Sequence, residues 1–334
     1  MRRLIALVSA VAVLAPASAA FAWGGTGHRI VGQVGMETLP ADVPAFLRAP
    51  GVAAEIGELA RELDRSKGAG KTHDSLRDPA HFVDIDDAGR VLGGPSIDAL
   101  PETRVEYDAA LVAARTDWAK AGWLPYATVD GWQQLVKDFA HWRVLVAAER
   151  LATTPERRAW YAEDRARRER LIINNLGVWA HYVGDGSQPH HTTIHFNGWS
   201  GPNPNRYSTA RNIHGAFEGA FIRANLQTAA VRARMAPPRT VGPIWPEVTA
   251  YLKRTQAQVE PLYALEKAGG FAQGDPRGAA FAVERLAAGA AELRDLTAAA
   301  WTESARSSIG YPNVPVADFE SGKVDPWDAL YGRD

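Results

Sequence analysis

The residues best suited to chemistry are histidines and acids that recur at fixed spacing. In "VWAHYVGDGSQPHH", His181 and Asp185 stand four positions apart near the end of a helical stretch. That spacing sets both on one face, a turn apart, where they can grip one ion. Gly184 and Gly186 reduce bulk beside them, and Pro189 then redirects the chain ahead of His190 and His191. "NIHGAFEGAF" repeats the spacing with His214 and Glu218, His81 opens "HFVDID", and His28 closes "WGGTGH". Taken singly, each feature has a plain reading. A His–acid pair fits a surface ion pair, Asp64-Arg65 a solvated helix end, His81-Phe82 core packing, and Trp23 a buried aromatic. Together they point to a metal centre. The chain has no cysteine, so any zinc must be held by imidazole, carboxylate and backbone or terminal groups. Such mixed ligands suit zinc, and multi-zinc sites suit attack on phosphate esters.

The elements that must position these groups read as helices almost throughout, with no convincing strand pair and no internal repeat. Helical patterns cover 27–37 and 41–48. Val52 to Asp64 reads as one amphipathic helix with Ile56, Leu59, Ala60 and Leu63 on one face. Residues 66–80 read as a loop. Further helices are expected from Pro101 to about Ala121, from Gly131 to about Thr153, and from Pro155 to about Asp185. Pro189 and "NGWSGPNPN" give a long loop. Helices resume near 211–233, 244–267 and 273–309; the last carries Phe281, Leu286, Ala290, Leu293 and Leu296 on one side. The expectation is a single all-α domain over 23–309, followed by a tail at 310–334 that wraps the surface.

Arg2 and Arg3, the apolar run from Leu4 to Leu14 and the closing Ala20-Phe21-Ala22 read as a secretory signal over 1–22, cleaved before Trp23. A periplasmic or secreted location follows. No later stretch is apolar for long enough to suggest a membrane span. The net charge of −1 is unlike that of a protein that coats nucleic acid. It leaves room for an enzyme that meets a polyanion with metal charge.

The order of these motifs resembles the superfamily of zinc-dependent phospholipases C and S1/P1 nucleases. It runs from "WGGTGH" through Asp64, "HFVDID", "HYVGDGSQPHH" and "HGAFE" to the long helix "FAVERLAAGAAELRDL". The resemblance implies an all-helical domain of the phospholipase C/P1 nuclease type that binds three zinc ions and is expected to be a monomer. Trp23, through its amino nitrogen and carbonyl oxygen, and His28 would hold one ion. Asp64, His81 and His181 would hold a second, Asp185 would bridge those two, and His191, His214 and Glu218 would hold the third. His191 rather than His190 is the implied ligand, because it lies six residues after Asp185.

Asp64 is also the implied catalytic residue, orienting or deprotonating the nucleophilic water, and Phe82 would stack on a base of a single-stranded nucleic acid substrate. The short spacing from Trp23 to His28 is nuclease-like. Glu218, where nucleases usually carry Asp, looks like a phospholipase C, whose substrate would be a phospholipid. "Glu-Leu-Asp" stands where nucleases have Trp-Ala-Asp, which leaves Glu58 and Glu62 as the other acids within reach. His73, His141 and His195 match no ligand position and read as surface or packing residues, with His195 alternatively lining the cleft. A different class, a helical binding or scaffold protein that keeps the site without turnover, is the other reading of these departures.

Overall fold

Burial patterns divide the helices into a frame and its satellites. The structure is a computed structural model and describes residues 23–332; the signal expected at 1–22 lies outside them. It is 65% helical, which makes the chain all-α. Among the described residues the one sheet is a two-stranded antiparallel pair, Ser308–Ile309 with Val314–Pro315.

The frame consists of α1 (Gly24–Glu37), α2 (Val52–Leu59), α3 (Leu124–Leu151), α4 (Pro155–Asp185) and α5 (Pro276–Ser304). Helix α1 packs against α2, α4 and α5, and α3 packs along α4 and α5. Ile30, Val31 and Val34 of α1 join Leu286, Leu293 and Leu296 of α5 and Leu176, Ala180 and Val183 of α4 in one apolar core. Each Val or Leu buried there contributes about 1.5–3 kcal/mol.

Helix α4 changes character along its length. Thr154 caps its start by accepting from the Arg157 N–H. Its first half is charged and laced with ion pairs such as Arg165 with Glu149 and Glu169. Its last three turns are buried, from Leu176 to Asp185. The helix therefore runs from solvent into the core and delivers His181 and Asp185 at its C-terminal end. The carbonyls at that end are matched: Gly184 accepts from the Trp23 indole, Val183 from the Tyr251 hydroxyl, and Tyr182 from the Gly186 N–H.

Close packing sets the position of α4 over α2. A Cβ built on Gly177 would fall 2.4 Å from the Leu59 Cβ. Gly177→Val is therefore expected to destabilise the fold by about 1–3 kcal/mol, read as a lowered urea midpoint. An unchanged midpoint would show that the two helices can part at no cost.

Several sequence expectations are corrected. The helix expected over 52–64 ends at Leu59 and a separate turn covers Glu62–Arg65. The cause is distant: the Ala60 carbonyl accepts from His181 Nδ1 at 2.7 Å rather than continuing the helical ladder. The expected loop at 66–80 contains a helix, Lys71–Arg77, none of whose residues is buried, so it had no apolar face to signal it. Pro101 precedes its helix, which runs Arg104–Ala113 from a Thr103/Glu106 capping box. The chain then turns at Arg115 (φ 61°) and Trp118–Ala121 forms a separate turn capped by Asp117.

The helix expected from Gly131 begins at Leu124, with Pro125 in its first turn and Leu124 to Val129 buried. The 211–233 stretch is interrupted: Ile213–Gly215 leads into a widened turn over Ala216–Phe221, then Ile222–Asn225, and Thr228–Ala233 follows an extended Leu226. The 244–267 stretch divides into Ile244–Gln256 and Val259–Lys267. Val316 and Phe319 of the tail, with Ile309 just before it, pack on Ala140 and Val144 of α3.

Candidate metal centre

The buried end of α4 is the point on which distant segments converge. Asp185, fully buried, presents its two oxygens to different sides. Oδ1 lies 3.4 Å from His28 Nε2 and 3.6 Å from His191 Nδ1, while Oδ2 lies 3.1 Å from His81 Nδ1 and 3.4 Å from His181 Nε2. His28 comes from α1, and its ring stacks on His181 at 3.7 Å. Gly184 makes room for it, since a Cβ there would stand 3.1 Å from His28 Nδ1. His181 Nε2 is also 2.9 Å from His81 Nδ1 and 3.9 Å from Asp64 Oδ1. On the far side of His191, its Nε2 is 3.1 Å from His214 Nε2 and 3.7 Å from Glu218 Oε2, and His214 and Glu218 meet at 2.8 Å.

Three buried groups result, each with ligand atoms close enough to hold a metal ion: His28–His181–Asp185, Asp64–His81–His181 and His191–His214–Glu218. The protein residues fit that role on further observations. Ligand atoms around one tetrahedral zinc stand about 3.3 Å apart, close to most of the separations here. The outer nitrogens of two histidines are fixed by carbonyls, His181 Nδ1 by Ala60 (2.7 Å) and His191 Nδ1 by His81 (2.6 Å). Both bonds leave Nε2 facing the cluster, the usual arrangement of a ligating histidine. Both His28 nitrogens, Asp64 Oδ2, Asp185 Oδ1 and Glu218 Oε1 are buried without a hydrogen bond. Such groups cost about 1–3 kcal/mol each, and a cation among them would relieve that cost. The negative end of the α4 dipole favours a cation at the same place.

Electrostatics of the protein groups agree. Burial opposes ionisation of Asp185, but the His181 and His191 imidazoles hold its carboxyl well below the usual carboxylate range. Burial likewise opposes Glu218, and His214 and His191 outweigh it and lower its pKa. For His191, burial is overcome by Asp185 and Glu218, which push it up to about 9. Burial depresses His81 and holds His181 well below its ordinary value. A metal at His191 would displace its proton, so uptake there releases acid.

The other implied residues are placed as follows. Asp64 is the acid that turns inward, 2.7 Å from the Lys67 ammonium. Glu62 pairs with Arg65 and Glu58 with Arg61 outside the cluster. Trp23 is fully buried, its indole donating to the Gly184 carbonyl (2.9 Å) and Ser187 Oγ (2.8 Å), with Phe217 at 5.8 Å. The buried-aromatic reading thus holds for its side chain, which pins its backbone next to the end of α4.

His190 belongs to none of the metal groups. His73 pairs with Asp74. Burial pushes His141 down to about 4. His195 does not line the cleft; it stacks on Trp199 and faces Asp87 at 3.0 Å.

A cavity of about 500 Å³ opens over His81, His191 and His214. Phe82 forms part of its wall and is only half-buried. Phe196 and Asp84 are among the lining residues that had no part in the sequence expectations. Phe196, 41% exposed, stands at the rim. Asp84 is buried with Oδ1 unpaired, and burial raises its carboxyl well above the usual range, against a smaller opposing effect of His191. The alternation in "HFVDID" was the one signal for Asp84, two positions from Phe82. Comparison with known proteins adds no neighbour: no family model, curated protein or solved structure matches the chain.

Proposed function

We propose that this protein is a three-zinc phosphodiesterase of the phospholipase C/P1 nuclease type, exported and cleaved before Trp23, acting on single-stranded DNA or RNA. The observation that supports it is the convergence on Asp185. His28, Asp64, His81, His181, His191, His214 and Glu218, spread over much of the chain, come together around it in three groups; Asp64–His81–His181 and His191–His214–Glu218 match sets that the resemblance implies, while His28 stands with Asp185 and His181.

Zinc held by these residues would supply an acidified water and positive charge at the phosphoryl group. The chain's own residues do the rest. Asp185, with Oδ1 facing His28 and Oδ2 facing His81 and His181, would help to hold the metal on both sides. Asp64, steadied by Lys67, is the carboxylate able to accept a proton from the attacking water. Phe82 offers a flat face to a base. Asp84, on the same wall with Oδ1 unpaired, can accept from a base edge. Lys67 and Lys120 border the cavity and favour a phosphate backbone. A nearly neutral protein can hold a polyanion this way, because the charge sits in the site rather than on the surface.

The test is metal analysis of protein that begins at Trp23, followed by assays on single-stranded DNA, RNA and phosphatidylcholine. The expected result is three zinc ions per chain, one for each group, and nucleic acid cleavage abolished by EDTA. Hydrolysis of lipid alone would make it a phospholipase C, a reading that Glu218 and the apolar Leu92 and Phe196 in the cavity keep open. Metal-free protein that hydrolyses none of these would make it a helical scaffold.

A further inference from the structure

The cavity is bordered by a buried imidazole that the ligand set does not use. His190 follows Pro189 in a short 3-10 turn, and its backbone N–H donates to Gln188 Oε1. Its ring is fully buried, and neither ring nitrogen has a hydrogen-bond partner. It nevertheless borders the cavity beside His191 and His214.

The neighbours of the ring are arranged without reference to it. The Tyr263 ring stands edge-on at 5.8 Å, and its hydroxyl is committed to the His195 carbonyl. Phe217, at 6.4 Å, has nothing polar to offer. His214, at 5.0 Å, turns Nε2 towards Glu218. In such surroundings an apolar side chain of similar volume would fit without loss, whereas an unpaired imidazole destabilises the fold. A polar group held at this cost, at the edge of a cavity, is best explained by a partner that arrives with the ligand.

We propose that His190 is a substrate-binding residue whose ring N–H donates to a phosphoryl oxygen of the ligand in this cavity. The proposal rests on the phosphodiesterase reading. The position favours a phosphoryl group because the ring adjoins His191, His214 and Glu218, which would draw a phosphate through a bound cation. A neutral imidazole has one N–H to give and one bare nitrogen. The donor therefore adds direction to a charge that the metal supplies without direction.

The test compares wild type, His190→Leu and His190→Gln, all starting at Trp23 and loaded with zinc. Melting temperature, zinc content and the affinity for inorganic phosphate by calorimetry are measured for each. His190→Leu should keep its zinc, melt at or above the wild-type temperature and bind phosphate about 10- to 100-fold more weakly, the loss expected for one charge-assisted hydrogen bond. His190→Gln, which retains an N–H donor, should recover part of that affinity. Thymidine 5′-phosphate and phosphorylcholine, titrated in parallel, tell a nucleotide source of the phosphoryl group from a lipid headgroup.

Phosphate affinity that is equal in wild type and His190→Leu would overturn the proposal and leave the phosphodiesterase reading standing. Loss of a zinc ion from His190→Leu would also overturn it, making His190 a support for the metal group instead. Wild type that binds neither zinc nor phosphate would overturn both.

Discussion

Asp185→Asn is expected to lower hydrolysis by about 10³-fold or more and to remove metal from the Asp185 side of the centre while the His191–His214–Glu218 group keeps its ion. The substitution conserves volume and changes one oxygen for an amide nitrogen. In the native chain Oδ1 faces His28 and His191, and Oδ2 faces His81 and His181. An amide cannot serve both directions, since its nitrogen has no lone pair to give and its N–H groups point at ring nitrogens that should bind metal. The negative charge is lost as well, and a metal pair bridged by a neutral group repels itself more strongly.

His191 supplies an independent readout. Against burial, the charge of Asp185, with the hydrogen bond and charge of Glu218, raises its pKa to about 9. In the metal-free variant the His191 titration should therefore move down by a readily measured amount in an NMR pH series. The required measurements are zinc per chain, the rate on single-stranded DNA and that titration. A variant that keeps the full zinc content and near-wild-type rate would remove Asp185 from the centre of the site and with it the proposed chemistry.

The same residue shows why part of the site was legible in sequence. Four-residue spacing fixes a shared helix face, and Pro155 after Thr154 at one end, with Gly186 and Pro189 at the other, bounds α4 closely. Such information is local, and local signals survive in a single sequence. The direction in which Asp64 points does not. It depends on the break after Ala60, and that break depends on a hydrogen bond from His181, 121 residues away. Glu58, Glu62 and Asp64 are equivalent in composition and separate only once Arg61 and Arg65 hold the two glutamates outside.

The choice between His190 and His191 is of the same kind. Adjacent residues in a tight turn face different ways, and what selects His191 is its bond to the His81 carbonyl. The Lys71–Arg77 helix left no trace because a helix that buries nothing has no periodicity to read. Asp84 and Phe196 gained meaning only when the chain closed a cavity around them.

One added residue before Trp23 is expected to cost the protein one metal ion and at least about 10²-fold in activity, while leaving the metal-free fold almost unchanged. The anchor for this expectation is the indole. Its bonds to the Gly184 carbonyl and Ser187 Oγ place the Trp23 side chain beside the end of α4, at the residues that flank Asp185 in the chain. Its backbone nitrogen is thereby held in one place whatever precedes it. What precedes it decides the chemistry of that nitrogen. At a free terminus it is an amine, with a pKa of about 8, whose lone pair a metal can claim. Within a chain it is an amide, whose lone pair is delocalised into the carbonyl.

A pair of variants separates the two roles of this residue. Protein beginning Met-Trp keeps the indole bonds and loses the amine, so its metal-free melting temperature should match wild type while its zinc content falls by one ion. Protein beginning at Trp23→Phe keeps the amine and loses both indole bonds, so it should be destabilised by about 1–3 kcal/mol and still take up the full complement. If the Met-Trp protein binds as much zinc and turns over as fast as the processed chain, Trp23 is a packing residue alone, and the centre is completed by His28, His181 and Asp185 without the terminus.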